Sequence, residues 1–316
     1  MGRVKAVCIS PTKGTEKKPI SEGVFIEDFG IEHDAHAGNW HRQVSLLSYD
    51  KVEAFRQEGG AVTDGAFGEN LLVEGMDFRS MPVGTRLVCN DVVLEITQIG
   101  KECHNHCAIY HRVGHCIMPS EGVFARVVRG GKICPGDEMR VLPVDSGRPL
   151  HAAVVTVSDK GAAGVRKDES GPAAVEILER YGYRVEETLI VPDQQEIIEK
   201  ELIRLADSRQ VDLILTSGGT GFSMRDRTPE ATLAVADRLA PGIAEAIRAG
   251  SMALTQRAML GRGQSVLRGR SLIVNLPGSP RAVRESLSFI MDTLEHGLKV
   301  LRGEAFECAQ IDERGT

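Results

Sequence analysis

Hydrophobic positions change their spacing partway along the chain. Over the first 143 residues, apolar residues come in short runs interrupted by glycine. Val44-Ser45-Leu46-Leu47, Arg86-Leu87-Val88-Cys89 and Val92-Val93-Leu94-Glu95-Ile96 are examples. Short β-rich runs of this kind predict an all-β barrel or sandwich. Pro143-Val144-Asp145-Ser146-Gly147-Arg148-Pro149 then supplies turn and linker residues without apolar period, which predicts two domains, 1–145 and 150–304. Beyond the linker, apolar runs alternate with helical stretches, the pattern of a three-layer α/β fold with a mostly parallel sheet.

The expected elements of the second half follow in order. A strand covers 152–157. A helix comes next, with Ser170 as N-cap, Pro172 at its start and Gly182 at its end. A strand over 185–191 leads to a helix opening at Asp193, where Glu196 three places on has capping-box spacing. The strand 211–215 runs into a glycine-rich loop, and Thr228-Pro229 opens another helix. A strand over 271–276 ends in Pro277-Gly278-Ser279-Pro280, and one long helix, 281–301, follows.

Length and composition agree with two ordinary domains: 316 residues, 42% hydrophobic and 26% charged. A net charge of −6 provides no basic face for a phosphate backbone, so nucleic acid is not an expected partner. No apolar run approaches the roughly 20 residues that a membrane helix needs, and no secretion signal is visible at the start, so a soluble cytoplasmic protein is expected. Seven cysteines then read as reduced thiols rather than a disulfide framework. Six of those seven, and seven of nine histidines, precede His151, so the two halves differ in chemistry as well as in pattern.

Open parallel sheets bind ligands at the carboxyl ends of their strands. In the second half every unusual loop follows a strand: Ser158-Asp159-Lys160 through Asp168-Glu169-Ser170-Gly171, then Pro192-Asp193, then 217–226, and finally Asn275-Leu276-Pro277-Gly278-Ser279. Ser217-Gly218-Gly219-Thr220-Gly221 reads as a phosphate cradle, because successive glycines let backbone amides approach an anion. It is neither a Walker A loop nor Gly-x-Gly-x-x-Gly, and tight turns alone explain many such runs. Nucleotidyl transfer needs oriented phosphates and neutralised charge, usually with a divalent metal on carboxylates. Asp193 and Asp226 are the candidate carboxylates, and Arg225 and Arg227 could steady a leaving pyrophosphate. Equally, Asp193 could be only a helix cap and Asp226 only a solvated loop acid.

The half resembles the MogA/MoaB family of molybdenum cofactor biosynthesis proteins. The matching stretches are Thr156-Val157-Ser158-Asp159, Asp168-Glu169-Ser170-Gly171-Pro172, Val191-Pro192-Asp193, Thr216-Ser217-Gly218-Gly219-Thr220-Gly221, Arg225-Asp226-Arg227-Thr228-Pro229-Glu230 and Asn275-Leu276-Pro277-Gly278-Ser279-Pro280. The resemblance implies that ATP and molybdopterin react, with magnesium, to give adenylylated molybdopterin and pyrophosphate. It implies that Asp193 and Asp226 support catalysis and metal binding through the nucleotide. It implies a nucleotide and pterin site at Ser158, Asp159, Asp168, Ser170, Gly171, Ser217, Gly218, Gly219, Thr220, Gly221, Arg225, Pro277, Gly278 and Ser279. A homo-oligomer, with a trimer as candidate, and a molybdenum-insertion protein as candidate partner complete the expectation. One departure stands out: Met259-Leu260-Gly261-Arg262 replaces a family Leu-Ser-Arg, so a hydroxyl is missing at Gly261.

The first half carries Gly30-Ile31-Glu32-His33-Asp34-Ala35-His36-Ala37-Gly38, His41-Arg42-Gln43-Val44-Ser45-Leu46-Leu47, Gly65-Ala66-Phe67-Gly68-Glu69-Asn70-Leu71 and Gly136-Asp137. These resemble MOSC domains, which implies a β barrel that binds molybdopterin or the molybdenum cofactor, or carries sulfur on a cysteine. His36, Arg42 and Glu69 are suited to grip an anionic pterin. The segment Cys103-His104-Asn105-His106-Cys107, continuing through His111, His115 and Cys116, is dense in soft ligands. Cys103 and Cys107 could be activated thiols, zinc ligands despite unusual spacing, or buried structural thiols. Two rivals to the fused adenylyltransferase stay open: a non-catalytic molybdopterin-binding scaffold, and a sulfurtransferase centred on the first half.

Overall fold

A computed structural model describes residues 1–101, 110, 116–142 and 148–303. The chain divides into two units, Met1–Asp145 and Ser146–Thr316. No helix among the described residues is long and apolar enough to cross a membrane.

The first unit is built from strands β1 (Gly2–Ile9), β2 (Lys18–Ile20), β3 (Gly23–Ile26), β4 (Gly30–Ile31), β5 (Val44–Ser48), β6 (Leu71–Glu74), β7 (Arg86–Cys89), β8 (Val92–Ile99), β9 (Val123–Arg129), β10 (Gly131–Ile133) and β11 (Glu138–Val141). Pairing runs β11-β7-β8-β9-β5-β6-β1, and Gly2 and Arg3 of β1 pair again with β11, which closes a barrel. Closure leaves no unpaired edge in that ring. Side chains alternate between two apolar clusters, as period-2 geometry requires. Leu46, Leu71, Val73, Leu94 and Ile96 enter one, while Leu47, Leu72 and Phe124 enter the other with Val52 and Phe55 of helix α1 (Tyr49–Gln57). A register shift between Val4 and Ala6 lets Val4 and Val7, three apart, share the first cluster.

The second unit holds a six-stranded sheet of β12 (His151–Val157), β13 (Arg184–Val191), β14 (Leu213–Ser217), β15 (Arg238–Leu239), β16 (Ser265–Arg268) and β17 (Ser271–Leu276), in the order β13-β12-β14-β17-β16-β15. The first four strands are parallel; β16 and β15 form an antiparallel edge. The helices are α2 (Ser170–Arg180), α3 (Gln195–Ile203), α4 (Thr228–Ala234), α5 (Pro241–Leu254), α6 (Pro280–Ser288) and α7 (Met291–Arg302). Ala152, Val154, Leu213, Leu215 and Val274 pack with α2, α6 and α7 on one face, and Ala153, Val155, Ile214 and Ile273 pack with α3 and α4 on the other. This is the three-layer arrangement, with both sheet faces covered. At its foot, Arg302 grips buried Asp212 with two bonds of 2.6 Å and donates to the Arg148 and Pro149 carbonyls, tying the last helix to the start of the domain.

Three local expectations are corrected. Helix α2 has Glu169 at its N-cap position, and Ser170 lies inside the helix; the capping oxygen comes from Asp168, which accepts Ser170 N–H at 3.0 Å and Gly171 N–H at 3.1 Å. Asp193 does not open α3: Gln194 occupies the cap position and no side chain caps this helix. The single long helix 281–301 is two helices. Phe289 and Ile290 donate to Ser286 and Leu287, three residues back, a tight turn that keeps Leu287, Ile290, Met291 and Leu294 all buried.

Candidate active site

Strand register brings the loops together. Thr156 of β12 lies opposite Ser217 of β14, and Ser217 opposite Leu276 of β17, so three loops leave the sheet at one level. Strand β12 pairs with β13 on one side and β14 on the other, so the chain changes direction across the sheet at this point. Crevices at the carboxyl ends of strands occur where such a reversal splays the outgoing loops.

The glycine loop after β14 is held from below and from both sides. Gly218 N–H donates to Leu276 O at 3.2 Å, and Ser217 Oγ donates to Pro277 O at 3.1 Å. Thr228, at the start of α4, returns to the loop through Oγ1–H to Gly218 O (2.9 Å) and N–H to Gly219 O (3.1 Å). Gly218 and Gly219 have φ of +102° and +62°, backbone that L side chains rarely adopt. A Cβ on Gly219 would collide with Thr228 Oγ1 and sit 3.2 Å from Asp193 Oδ1, and one on Gly278 would sit 3.2 Å from Gly218 Cα. Below the loop, buried Asn275 donates to Thr216 and Thr232 and accepts Gln264 N–H, which locks β17 against β14.

Arg262 is the clamp that residue chemistry did not single out. It donates through Nε to Gly221 O (2.7 Å) and through Nη2 to Asp226 O (2.7 Å), and it bridges to Glu230. Its own N–H donates to Thr220 O at 3.0 Å. It immediately follows Gly261, so the segment noted above for its missing hydroxyl also supplies the staple of the loop.

A second group stands on the loops after β12 and β13. Asp159 N–H donates to Asp193 Oδ2 at 2.8 Å, and Asp193 N–H donates back to Asp159 Oδ1 at 3.0 Å. This reciprocal pair explains why Asp193 caps nothing: its carboxylate is turned toward the neighbouring loop. Arg225 closes the group with a two-pronged contact to Asp159, at 2.7 to 3.1 Å. That contact holds the Asp159 carboxyl below its usual range. Asp193 behaves oppositely: burial first, then the charges of Asp159 and Asp226, push its carboxyl above the usual range, against the Asp159 N–H and the Arg225 charge. Asp226 binds Ser223 N–H through Oδ2 at 2.9 Å. Oδ1 of Asp193 and Oδ1 of Asp226 make no hydrogen bond among the described residues. No group of three or more His, Cys, Asp or Glu among the described residues forms a ready-made metal cage there.

Beside this group lies a cleft of about 140 Å³, lined in part by Ser158, Arg166, Lys167, Asp168, Ser170, Ser217, Gly218 and Gly278. Asp168 is held by Thr156 Oγ1 at 2.7 Å and by Ser170 Oγ at 3.0 Å, besides the two amides at the start of α2. Burial opposes its ionisation, but those donors hold the carboxyl below its usual range. A larger, mainly apolar cavity of about 330 Å³ opens on the other side of the glycine loop, against Thr220, Gly221, Ile247, Leu260, Gly261 and Pro277. The expected residues therefore divide: some line the cleft, Asp159, Asp193, Arg225 and Asp226 form its charged neighbour, and Thr220, Gly221 and Pro277 face the apolar cavity. Ser279 caps α6 by accepting Ala282 N–H at 3.2 Å, and Gly171 packs on Asp168.

In the first unit, Arg42 stacks its guanidinium 4.9 Å from the Trp40 ring centre and 5.6 Å from that of Phe124. Trp40 Nε1–H donates to the His36 carbonyl at 2.8 Å, so His36 and Arg42 share one aromatic support. Behind His36, Asp34 accepts from buried Lys17 (2.7 Å) and Asn70 (3.0 Å). Glu69, expected to grip an anion, is instead wholly buried and accepts Gly65 N–H at 2.7 Å; a carboxylate placed there does not meet an anion from solvent. Burial pushes its carboxyl up to about 7. Cys103 and Cys107 lie outside the described residues.

Residues 153–296 match the model of a probable molybdopterin binding domain, and residues 33–140 match that of a MOSC domain. The molybdopterin adenylyltransferase of Helicobacter pylori (strain ATCC 700392 / 26695) is 38% identical over 167 residues, covering 52% of this chain and 93% of that protein. The enzyme of that name from Escherichia coli K12 is 42% identical over 146 residues, 45% of this chain and 74% of its own length. The crystal structure of the molybdopterin biosynthesis enzyme MoaB from Thermus thermophilus shares 44% identity, with a TM-score of 0.48 over 50% of this chain and 99% of that one. Through its second unit the chain belongs to the molybdopterin adenylyltransferase family, with a MOSC domain preceding it in the same chain.

Proposed function

We propose that the second unit transfers AMP from ATP to molybdopterin. An acceptor oxygen of the phosphorylated pterin bonds to the α-phosphorus of ATP, the bond from that phosphorus to the bridging oxygen breaks, and pyrophosphate leaves with the electron pair. The observation that carries the reading is the Asp159–Asp193–Arg225 group standing beside a twin-glycine loop at the reversal of the sheet. Phosphoryl and nucleotidyl transfer depend chiefly on positioning and charge neutralisation, and this site consists of fixed backbone and oriented charge.

Magnesium fits the donor set as an ion brought largely by the nucleotide. Mg²⁺ is commonly held by one or two carboxylates together with substrate phosphates and water, and Asp193 and Asp226 each keep one oxygen for that purpose. When bound it would neutralise charge on the phosphates. Burial, and after it the charges of Asp159 and Asp226, raise the Asp193 carboxyl, and a cation beside these groups would offset both. Gly218 and Gly219 let backbone approach the phosphates, and Arg262 ties the loop through the Thr220, Gly221 and Asp226 carbonyls.

For the MOSC unit we propose pterin binding, with His36 and Arg42 on their shared Trp40 support as the anion contacts. Incubation of the purified chain with ATP, magnesium and molybdopterin should release pyrophosphate and yield adenylylated pterin. Asp226→Ala should lower that rate on the order of a hundredfold or more while the domain stays folded. Pyrophosphate release at a near-normal rate by this variant would refute the assignment.

A further inference from the structure

Neither of the two arginines that the sequence marks for phosphate, Arg225 and Arg227, lines the cleft of about 140 Å³. Arg225 is held two-pronged by Asp159, and Arg262 is committed to Glu230 and two carbonyls. The cleft of about 140 Å³ has two others on its wall, Arg166 and Lys167. Both are exposed, and neither forms an ion pair among the described residues. The two acids on the same wall, Asp168 and Glu169, form no ion pair with either among the described residues, and the Asp168 oxygens accept instead from Thr156, Ser170 and Gly171. Those same contacts use the amides at the start of α2. The positive charge this cleft offers to a ligand therefore comes from the two side chains, not from the helix end.

Their placement is built. After the helical turn Asp159–Ala162 the chain folds back, and Val165 and Arg166 N–H both donate to Lys160 O, at 2.9 and 3.1 Å. Gly164 makes the reversal with φ +69°. Two residues on, the segment is anchored again by Asp168 at α2. Arg166 and Lys167 thus stand on a short span pinned at both ends, beside Ser158, Ser217 and Gly218. Volume decides what fits: pockets for whole drug-sized ligands run from about 300 Å³ upward, so a cleft of about 140 Å³ takes one group of a ligand. Two cations unpaired among the described residues, hydroxyls and a glycine backbone suit a phosphate.

Resting on the adenylyl-transfer reading, we propose that Arg166 and Lys167 seat a phosphate of the substrates in this cleft and so determine binding specificity. The shared chemistry is a multiply charged phosphate, from either the polyphosphate of ATP or the phosphorylated pterin.

Arg166→Ala, Lys167→Ala and the double variant of the full chain test it, with Arg166→Lys and Lys167→Arg as charge-preserving controls. Neither side chain has a structural partner among the described residues, so all variants should unfold at the wild-type temperature. Each lost charge should weaken binding roughly tenfold, and the charge-preserving pair should restore most of it. A raised KM for ATP and weaker equilibrium binding of inorganic pyrophosphate, with molybdopterin affinity unchanged, assigns the cleft to the polyphosphate. The reverse pattern assigns it to the pterin phosphate. If the double variant binds pyrophosphate and molybdopterin as tightly as wild type, the proposal is overturned. Equilibrium binding needs no turnover, so a wild-type chain that fails to transfer AMP would sink the adenylyl-transfer reading while leaving this test intact.

Discussion

Replacing Glu69 by glutamine should stabilise the barrel, and more so as pH rises. The carboxyl is fully buried, with Oε1 receiving Gly65 N–H at 2.7 Å and Oε2 without a hydrogen-bond partner among the described residues. Burial raises its pKa from 4.5 to about 7; backbone donors at Gly65, Phe67 and Glu69 itself offset only part of that, and the Asp64 charge adds to it. The folded state therefore binds this proton more tightly than the unfolded chain does. Below pH 4.5 both states are protonated and there is no penalty. Between 4.5 and 7 the folded state holds more protons, so stability declines with rising pH, and above 7 the penalty is complete. A rise from 4.5 to about 7 corresponds to roughly 3 kcal/mol. Glutamine can keep the Gly65 contact through its carbonyl and carries no charge to desolvate, so Glu69→Gln should recover up to about that amount at pH 8 and little at pH 5. Trp40 is the one tryptophan in the sequence and lies in this unit, so its fluorescence during denaturant unfolding follows the barrel. The variant-minus-wild-type difference should widen from pH 5 to pH 8. A difference that is flat with pH, or a variant less stable at pH 8, would refute the account of Glu69 as a charge buried at a loss.

Asp193→Asn should lose most adenylyl transfer yet unfold at the wild-type temperature, since Asp193 caps no helix; full pyrophosphate release would return it to a structural role. Gly219→Ala should both slow transfer and lower the thermal midpoint of the second unit, because the left-handed backbone disfavours a Cβ by about 1–2 kcal/mol and the new methyl would press on Thr228 Oγ1; unchanged kinetics and stability would contradict the loop geometry. Timed alkylation with peptide mapping in chelator-treated protein should modify Cys103 or Cys107 before Cys8 and Cys89, whose thiols burial pushes up to about 12. Equal rates at all four would remove the reactive-thiol reading.

Much of the fold was legible because its period is strong. Both faces of the α/β sheet are covered, so strands 152–157 and 271–276 read as continuous apolar runs, and the structure places strands there within a residue of those limits. The antiparallel edge was not legible. Strand β15 has two residues, both exposed, and β16 has four, too few to show alternation. Helix α5 went unread as well: its fourteen residues bury only Ala244 and Ile247, so its apolar stripe is faint. The 281–301 helix was read as one because a tight turn at Phe289 and Ile290 contains neither glycine nor proline to mark it.

Legibility failed differently at the site. Composition shows which side chains can be charged, but pairing decides which charges a ligand meets, and pairing is tertiary. Arg225 was read as a phosphate contact from its place beside Asp226, yet its partner is Asp159, 66 positions earlier in the chain. Arg166 and Lys167, without an ion pair among the described residues, sit among residues of no special pattern, and only the tertiary contacts show that Asp168 beside them is engaged by Thr156, Ser170 and Gly171. The same logic separates Asp193 from an N-cap. Both roles suit an aspartate just before a helix, and only the direction of its carboxylate, toward Asp159 N–H rather than its own helix, decides between them. A motif therefore identifies the loops that meet at such a site, while the hydrogen bonds between loops assign its charges.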